Sequence, residues 1–348
     1  MERTDIKSMT LPELQDAILE MGLPKFRAGQ IYSWLHEKQA ESFDEMTNLS
    51  KDLRQQLSEQ FVLYNCKILR KLESQLDGTI KYLFELNDGE TVESVLMKYK
   101  YGYSICVSCQ IGCAMKCRFC ASTIDGCVRD LRPSEILSQV YAAMRDTGVR
   151  ISHLVMMGMG EPLQNYDNAM RFLELLTSEK GINMSARHVS ISTCGIVPRI
   201  YELVETNPQF TLSVSLHAPN DEIRSQIMPV NKKWNTDELL KACRYYVNQT
   251  SRRISFEYAM MSGINDTDAC AEELARKLKG MLCHVNLIPA NEVRENDYVR
   301  SSAERLQNFQ RILEKNGINA TVRRTLGSDI DASCGQLRRK QKQEEGAK

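Results

Sequence analysis

The sequence predicts an α/β protein built on a partial (β/α) barrel, with a small N-terminal helical module and a β-hairpin linker ahead of it. Three observations carry that expectation. From about residue 104, short β-branched runs alternate with amphipathic segments over some 220 residues, a pattern that implies a parallel sheet with crossover helices. The alternation repeats too often for two mononucleotide folds, which favours a full or partial barrel whose function sits where the strands end. Ahead of it the chain reads as helices followed by one hairpin.

Thr10 and Glu13 make a capping box, Leu11, Leu14, Ile18 and Met21 form one apolar stripe, and Gly22 suits the position after a helix end, so Thr10 to Gly22 is expected to be helical. Further helices are expected at about Ala28 to Leu35 and Leu49 to Phe61. Ile80 to Leu86 and Thr91 to Met97 read as two strands turned by Asn87, Asp88 and Gly89. After the strand-like Tyr103 to Val107 come Ile151 to Met157, His188 to Thr193, Thr211 to Leu216, Ile254 to Tyr258, His284 to Ile288 and Ala320 to Arg323. The expected division is a helical module over residues 1–75, a hairpin over 76–98, a core over 99–337 and a polar tail over 338–348.

Composition limits what such a core does. A chain of 348 residues, 42% hydrophobic and 26% charged, has globular proportions. No apolar run reaches about 18 residues and Met1 to Thr10 is charged rather than signal-like, so a cytosolic chain without membrane association is expected. Twelve cysteines in such a chain point to metal or redox chemistry rather than a disulfide framework. Cys66, Cys243, Cys270 and Cys283 stand singly in apolar or amphipathic stretches and read as small buried hydrophobes. Lys+Arg and Asp+Glu balance at 45 each, without the basic excess of a protein that grips phosphates. Basic groups such as Lys232/Lys233 and Arg252/Arg253 therefore matter only if folding gathers them on one surface.

Cys113-Ala-Met-Lys-Cys117-Arg-Phe-Cys120 places three thiols within eight residues of a loop that follows a strand. Three thiolates hold three irons of a [4Fe–4S] cluster and leave the fourth open. Structural zinc is the competing reading, but zinc takes four closed ligands in paired motifs and no second pair follows. Gly158-Met-Gly160-Glu161-Pro162 ends an apolar strand; glycines there let a ligand approach the backbone and Glu161 accepts from an ammonium, while the glycines alone describe an ordinary turn. Ser192, the run Ser215-Leu216-His217, and Asn291 also stand at strand ends, where they face a ligand or make loop hydrogen bonds.

The CxxxCxxC loop after the first barrel strand resembles the radical S-adenosylmethionine superfamily. That resemblance implies a radical-SAM core, one [4Fe–4S] cluster on Cys113, Cys117 and Cys120, and S-adenosylmethionine chelated by the open iron. It also implies Gly160 and Glu161 at the methionine amino group, with Ser192, Ser215, Leu216, His217 and Asn291 as further cofactor contacts. Thr91-Val-Glu93-Ser, Cys106-Val-Ser-Cys-Gln-Ile-Gly-Cys113, Leu216-His-Ala-Pro-Asn-Asp-Glu-Ile-Arg224 and the polar segment Gly327 to Leu337 around Cys334 resemble, more narrowly, the RlmN-type RNA adenine methyltransferases. Cys109 and Cys194 stand where that family is expected to carry serine or threonine.

The narrower resemblance implies methylation of adenine carbon 2 in 23S ribosomal RNA and in transfer RNA, with two S-adenosylmethionine molecules used per turnover. Cys334 would take a methyl group from the first and receive the radical generated from the second. Glu93 would accept the proton from carbon 2, and Cys106 would attack the Cys334 sulfur to free the base. The base must leave its stack to be reached. The implied partners are the two RNAs and an electron donor such as flavodoxin or ferredoxin, for a monomeric enzyme. Cfr-type methylation of carbon 8 and a non-catalytic iron–sulfur protein that binds RNA or senses redox state stand beside it. Lys25, Phe26, Arg27 and Gln30 mark the N-terminal module as an expected part of the RNA-binding surface; otherwise it is a folding cap.

Overall fold

The structure, a computed structural model, describes residues 3–206, 209–290, 298–330, 332, 337–339 and 341. The chain begins with β1 (Thr4–Asp5), α1 (Leu11–Glu20), α2 (Phe26–His36), α3 (Lys51–Gln60) and β2 (Phe61–Val62), with β1 and β2 paired in parallel. Both arms of the predicted capping box form: Thr10 Oγ1 accepts the Glu13 N–H, and the Glu13 carboxylate accepts the Thr10 N–H. Ser50 caps α3 through one arm alone, its hydroxyl accepting the Leu53 N–H.

β3 (Lys67–Glu73), β4 (Ile80–Glu85), β5 (Thr91–Tyr99) and β6 (Gly102–Cys106) then run antiparallel, and β7 (Gln110–Gly112) pairs with β8 (Cys127–Asp130) outside the main sheet. Next come α4 (Pro133–Thr147), β9 (Ile151–Met156), α5 (Tyr166–Thr177), β10 (Val189–Thr193), α6 (Val197–Glu205) and β11 (Thr211–Ser215). α7 (Asp221–Ile227), α8 (Thr236–Thr250), β12 (Ile254–Met260), α9 (Asp268–Leu278), β13 (Cys283–Pro289), α10 (Ala303–Lys315) and β14 (Ala320–Val322) complete the alternation.

The ten strands of the main sheet lie in the order β14-β13-β12-β11-β10-β9-β6-β5-β4-β3. From β6 to β14 every pairing is parallel. The end strands β3 and β14 each have a single neighbour, so the barrel is partial and open. The expected hairpin is β4 and β5, and hydrogen bonding to β3 and β6 makes it a continuation of the barrel sheet. β3 has no counterpart among the expected elements: Lys67-Ile-Leu-Arg-Lys-Leu-Glu73 is a charged, largely exposed edge strand without an apolar alternation to reveal it.

Leu154, Ile191, Leu212, Phe256 and Leu287 are fully buried under the helices, while alternate residues such as Ser192, Ser213 and Asn286 line the concave face. Each large apolar side chain buried on the helix side contributes roughly 1.5–3 kcal/mol. Cys66, Cys243, Cys270 and Cys283 are all buried, and burial pushes the Cys66 and Cys243 thiols up to about 12.

The helical module docks on α4. The Lys7 ammonium donates to Tyr64 O at 2.9 Å and Ser138 Oγ at 3.2 Å, and bonds Asn65. Burial pulls its pKa down to about 8. His36 Nδ1 lies 2.9 Å from the Tyr141 hydroxyl. Among the described residues no helix is long and apolar enough to cross a membrane.

Candidate active site

The loop after β7 carries the three clustered cysteines. Cys113 and Cys117 are buried and Cys120 is half-buried. The Cys113 N–H donates to Gly126 O at 2.9 Å, the Thr123 hydroxyl donates to Cys117 O and Cys120 O at 3.0 and 2.9 Å, and the Arg118 N–H donates to Ile227 O at 2.9 Å. Burial pushes the Cys113 thiol up to about 12, with Cys120 and Glu161 adding repulsion, and pushes Cys117 well up. Two buried thiols that disfavour ionisation, beside a third that is half-buried, suit a bound cationic centre that supplies the missing charge. Among the described residues no three His, Cys, Asp or Glu side chains meet at one ion-sized point, as thiolates that each serve a different iron need not.

The turn after β9 lies against this loop. A Cβ on Gly158 would stand 2.5 Å from Val107 O, and one on Gly160, at φ +105°, would stand 2.7 Å from Gln110 N. On the side where a Cβ would stand, these glycines are thus packed by the backbone leading to the cysteines. Gly158→Ala should cost roughly 1–3 kcal/mol and lower cluster content, read as a melting shift together with iron per chain. Glu161 is buried; Oε1 accepts the Leu163 N–H at 3.0 Å and Oε2 accepts the Cys194 N–H at 2.7 Å. Burial pushes its carboxyl up. Backbone amides and the side chains of Thr193 and Cys194 hydrogen bond to it, and an arriving ammonium would favour the charged form further.

Ser192 and Ser215 are half-buried at the ends of β10 and β11. Leu216 is buried; its N–H donates to Glu257 O at 3.1 Å. His217 has φ +56°, uncommon for a non-glycine, and is tied down on three sides. Its N–H donates to Glu257 O, its Nδ1 accepts the Ala259 N–H at 2.8 Å, and its carbonyl accepts from Asn265. The neutral ring therefore carries its proton on Nε2. That ring meets Phe119, inside the cysteine loop, edge-on at 4.9 Å. Asn291 lies outside the described residues.

Arg224 was not among the expected site residues. Its fully buried guanidinium donates to Leu216 O (3.1 Å), Asn231 Oδ1 (2.9 Å), Cys194 O (2.7 Å) and Ser215 O (3.2 Å). It therefore fixes the ends of β10 and β11 beside Cys117. In sequence it reads as one more arginine on a short helix.

A second group occupies the concave face of β4, β5 and β6. Glu93 is fully buried; the Lys81 ammonium lies 3.1 Å from Oε2, and the Arg338 N–H donates to Oε1 at 2.7 Å. A glutamate in a strand would ordinarily face solvent, and Lys81 is what allows this one inside. Removing only Lys81, as in Lys81→Met, should cost roughly 3–5 kcal/mol, while Lys81→Met with Glu93→Gln should cost much less; thermal melts of the two variants beside wild type test this. Cys106 packs with Val95 and Met97, against which Met157, Leu326 and Ala332 lie. Cys334 lies outside the described residues. Its nearest described chain neighbours are Ala332, packed against the group that holds Cys106, and Leu337 and Arg338, the latter bonded to Glu93 and to Glu90 at 2.9 Å.

The segment before it is also anchored. The Gly327 N–H donates to Asp77 Oδ2 at 2.8 Å, and the Asp329 carboxylate accepts the Ser74 hydroxyl at 2.6 Å and the Gln75 N–H at 2.9 Å.

Residues 107–278 match the family model of the radical SAM superfamily, and residues 4–63 match the ribosomal RNA large subunit methyltransferase N-terminal domain. A relative from Lachnospira eligens is 54% identical over 97% of this chain and 96% of its own length, and is called a probable dual-specificity RNA methyltransferase RlmN. One from Alkaliphilus oremlandii, with the same name, is 53% identical over 98% of this chain and 99% of its own. A solved radical SAM methyltransferase from Sphaerobacter thermophilus superposes with a TM-score of 0.92 at 45% identity, covering 96% of this chain and 98% of that one.

Proposed function

The chain belongs to the RlmN family of radical S-adenosylmethionine methyltransferases, and on that premise we propose that it methylates carbon 2 of an adenine in 23S ribosomal RNA and in transfer RNA. The observation that carries the reading is the meeting, on the concave face, of Cys106, Glu93 and the segments on either side of Cys334.

Cys113, Cys117 and Cys120 hold the cluster, and Glu161 faces the methionine ammonium of S-adenosylmethionine, with Gly160 contributing backbone and Ser192, Ser215, Leu216, His217 and Asn291 lining the rest. When bound, the cluster supplies the electron that cleaves the sulfonium and generates a radical. Cys334 accepts a methyl group on its thiolate and carries the one-carbon unit to the base. Glu93 accepts the proton that leaves carbon 2, and the Lys81 ammonium steadies the carboxylate in its buried place. The Cys106 thiolate then attacks the Cys334 sulfur; a disulfide forms, the sulfur–carbon bond breaks, and the methylated base leaves. An external reductant resets the pair, and an acidic one-electron carrier such as flavodoxin or ferredoxin supplies the cluster. The enzyme acts as a cytoplasmic monomer.

Exposed Phe26, with the Arg27 guanidinium 4.9 Å from its ring and hydrogen bonded to Gln30, offers the helical module's contact to RNA beside Lys25. Lys25→Ala with Arg27→Ala should weaken RNA binding.

The test is anaerobic reconstitution with S-adenosylmethionine, reductant and RNA, followed by mass spectrometry of the digested nucleosides. Wild type should yield 2-methyladenosine, Cys334→Ala none, and Cys106→Ala an enzyme covalently joined to RNA. Methylation by Cys334→Ala at the wild-type rate would overturn the carrier assignment, and co-elution with 8-methyladenosine would overturn the regiochemistry.

A further inference from the structure

At the end of the barrel opposite the cysteine loop lie Lys98 at the end of β5, Lys100 in the β5–β6 turn, Arg150 before β9, Arg187 before β10, and Arg252 and Arg253 before β12. All are exposed except Arg252, which is half-buried. Register steps these starts along one edge of the sheet: Tyr103 pairs with Ile151, Val189 with Leu154 three residues into β9, and Ser255 with Ser213 two residues into β11. Neighbouring strands lie about 4.8 Å apart. Glu179 is the carboxylate that these described connections set against them. Elsewhere cations pair: Arg129 with Glu135, Lys71 with Asp146, Arg171 with Glu13. None of the six forms an ion pair among the described residues.

Unpaired exposed cations alone describe a solvated face. Here they surround a row of rings. Tyr99 and Tyr101 stack at 5.0 Å, Tyr101 meets His153 edge-on at 4.7 Å, and His153 stacks on His188 at 4.4 Å. Tyr101 is 61% exposed, and His188 is exposed. Cations that take phosphates, set around rings that take bases, are the chemistry of nucleic-acid binding. An electron carrier has no use for this rim, because the seven residues of β12 put it about 23 Å from the strand ends that carry the site.

We infer that this rim is a second RNA-contact surface, which holds phosphates and a stacked base of a folded RNA whose target adenine lies at the other end of the barrel. The inference rests on the reading that RNA is the substrate, and it deepens that reading: the preferred substrate is an RNA large enough to touch both ends, rather than an isolated loop.

The test uses the full reconstituted chain and two probes, a full-length transfer RNA transcript and the short stem–loop that holds its target adenine. Arg150→Glu/Arg187→Glu/Arg253→Glu should bind the transcript at least about tenfold more weakly, with the salt slope of log K reduced by about 2–3. The same variant should bind the stem–loop as wild type does. Arg150→Gln/Arg187→Gln/Arg253→Gln and Tyr101→Ala, which disturb folding less, should show the same selective loss in smaller measure. Equal affinities for the transcript in wild type and variants would overturn the inference, as would equal losses on both probes. Wild type that binds neither probe would instead remove the RNA reading beneath it.

Discussion

Replacing Arg224 by methionine is expected to destabilise the protein by roughly 3–5 kcal/mol, seen as a fall in melting temperature of about 4–7 °C. Methionine fills much of the volume of the arginine stem. It leaves the carbonyls of Cys194, Ser215 and Leu216 without the donor that now satisfies them in the interior. Those carbonyls end β10 and β11, the strands that place Ser192, Ser215 and His217, so iron content after reconstitution should fall along with stability. A melting temperature within 2 °C of wild type would show that the ends hold without the guanidinium.

A second large effect is expected in acid. His36 and His217 are both buried, and burial pulls each down to about 3. The unfolded chain protonates each near pH 6.5, so between that pH and about 3 the unfolded state binds protons that the folded state refuses. Stability therefore falls as pH falls through this window, by about 1.4 kcal/mol per unit for each histidine. Asp5, Glu161 and Glu257, whose carboxyls burial pushes up, bind protons earlier in the folded state and offset part of the loss at its acid end. Denaturant titrations at pH 7, 6 and 5 should show the decline, and His36→Leu should roughly halve its slope. An unchanged slope in that variant would mean that His36 does not carry its share.

The parts of the fold that the sequence revealed are those whose cause is local. Thr10 and Glu13 satisfy each other across one turn, Gly89 turns β4 into β5 at φ +83°, and the β-branched runs announce strands because their neighbours in the chain are helices. The cysteine loop is legible for the same reason, since its spacing is chemistry written within eight residues. Glu93 and Arg224 are different. Whether a charged side chain is buried depends on what the fold brings to it, Lys81 in one case and three strand-end carbonyls in the other, and neither partner leaves a mark in the neighbouring sequence. Gly158 and Gly160 show the limit most plainly. A glycine at a strand end says that something approaches closely, but whether that is a ligand or the chain itself is decided by residues some fifty positions away, Val107 and Gln110.

The anchorage of the segment from Gly327 to Arg338 sets an order of assembly. Its hydrogen bonds reach back to Ser74, Asp77, Glu90 and Glu93, across 245 to 255 residues. During synthesis, which runs from the N-terminus, the helical module and most of the parallel strands can pack before this segment exists, because their contacts are made among residues that precede it. Cys334, the proposed methyl carrier, is therefore added to a nearly finished scaffold. A translation product cut short before Gly327 can still bury most of its core, yet it lacks the proposed carrier with which to begin chemistry on an RNA that it meets.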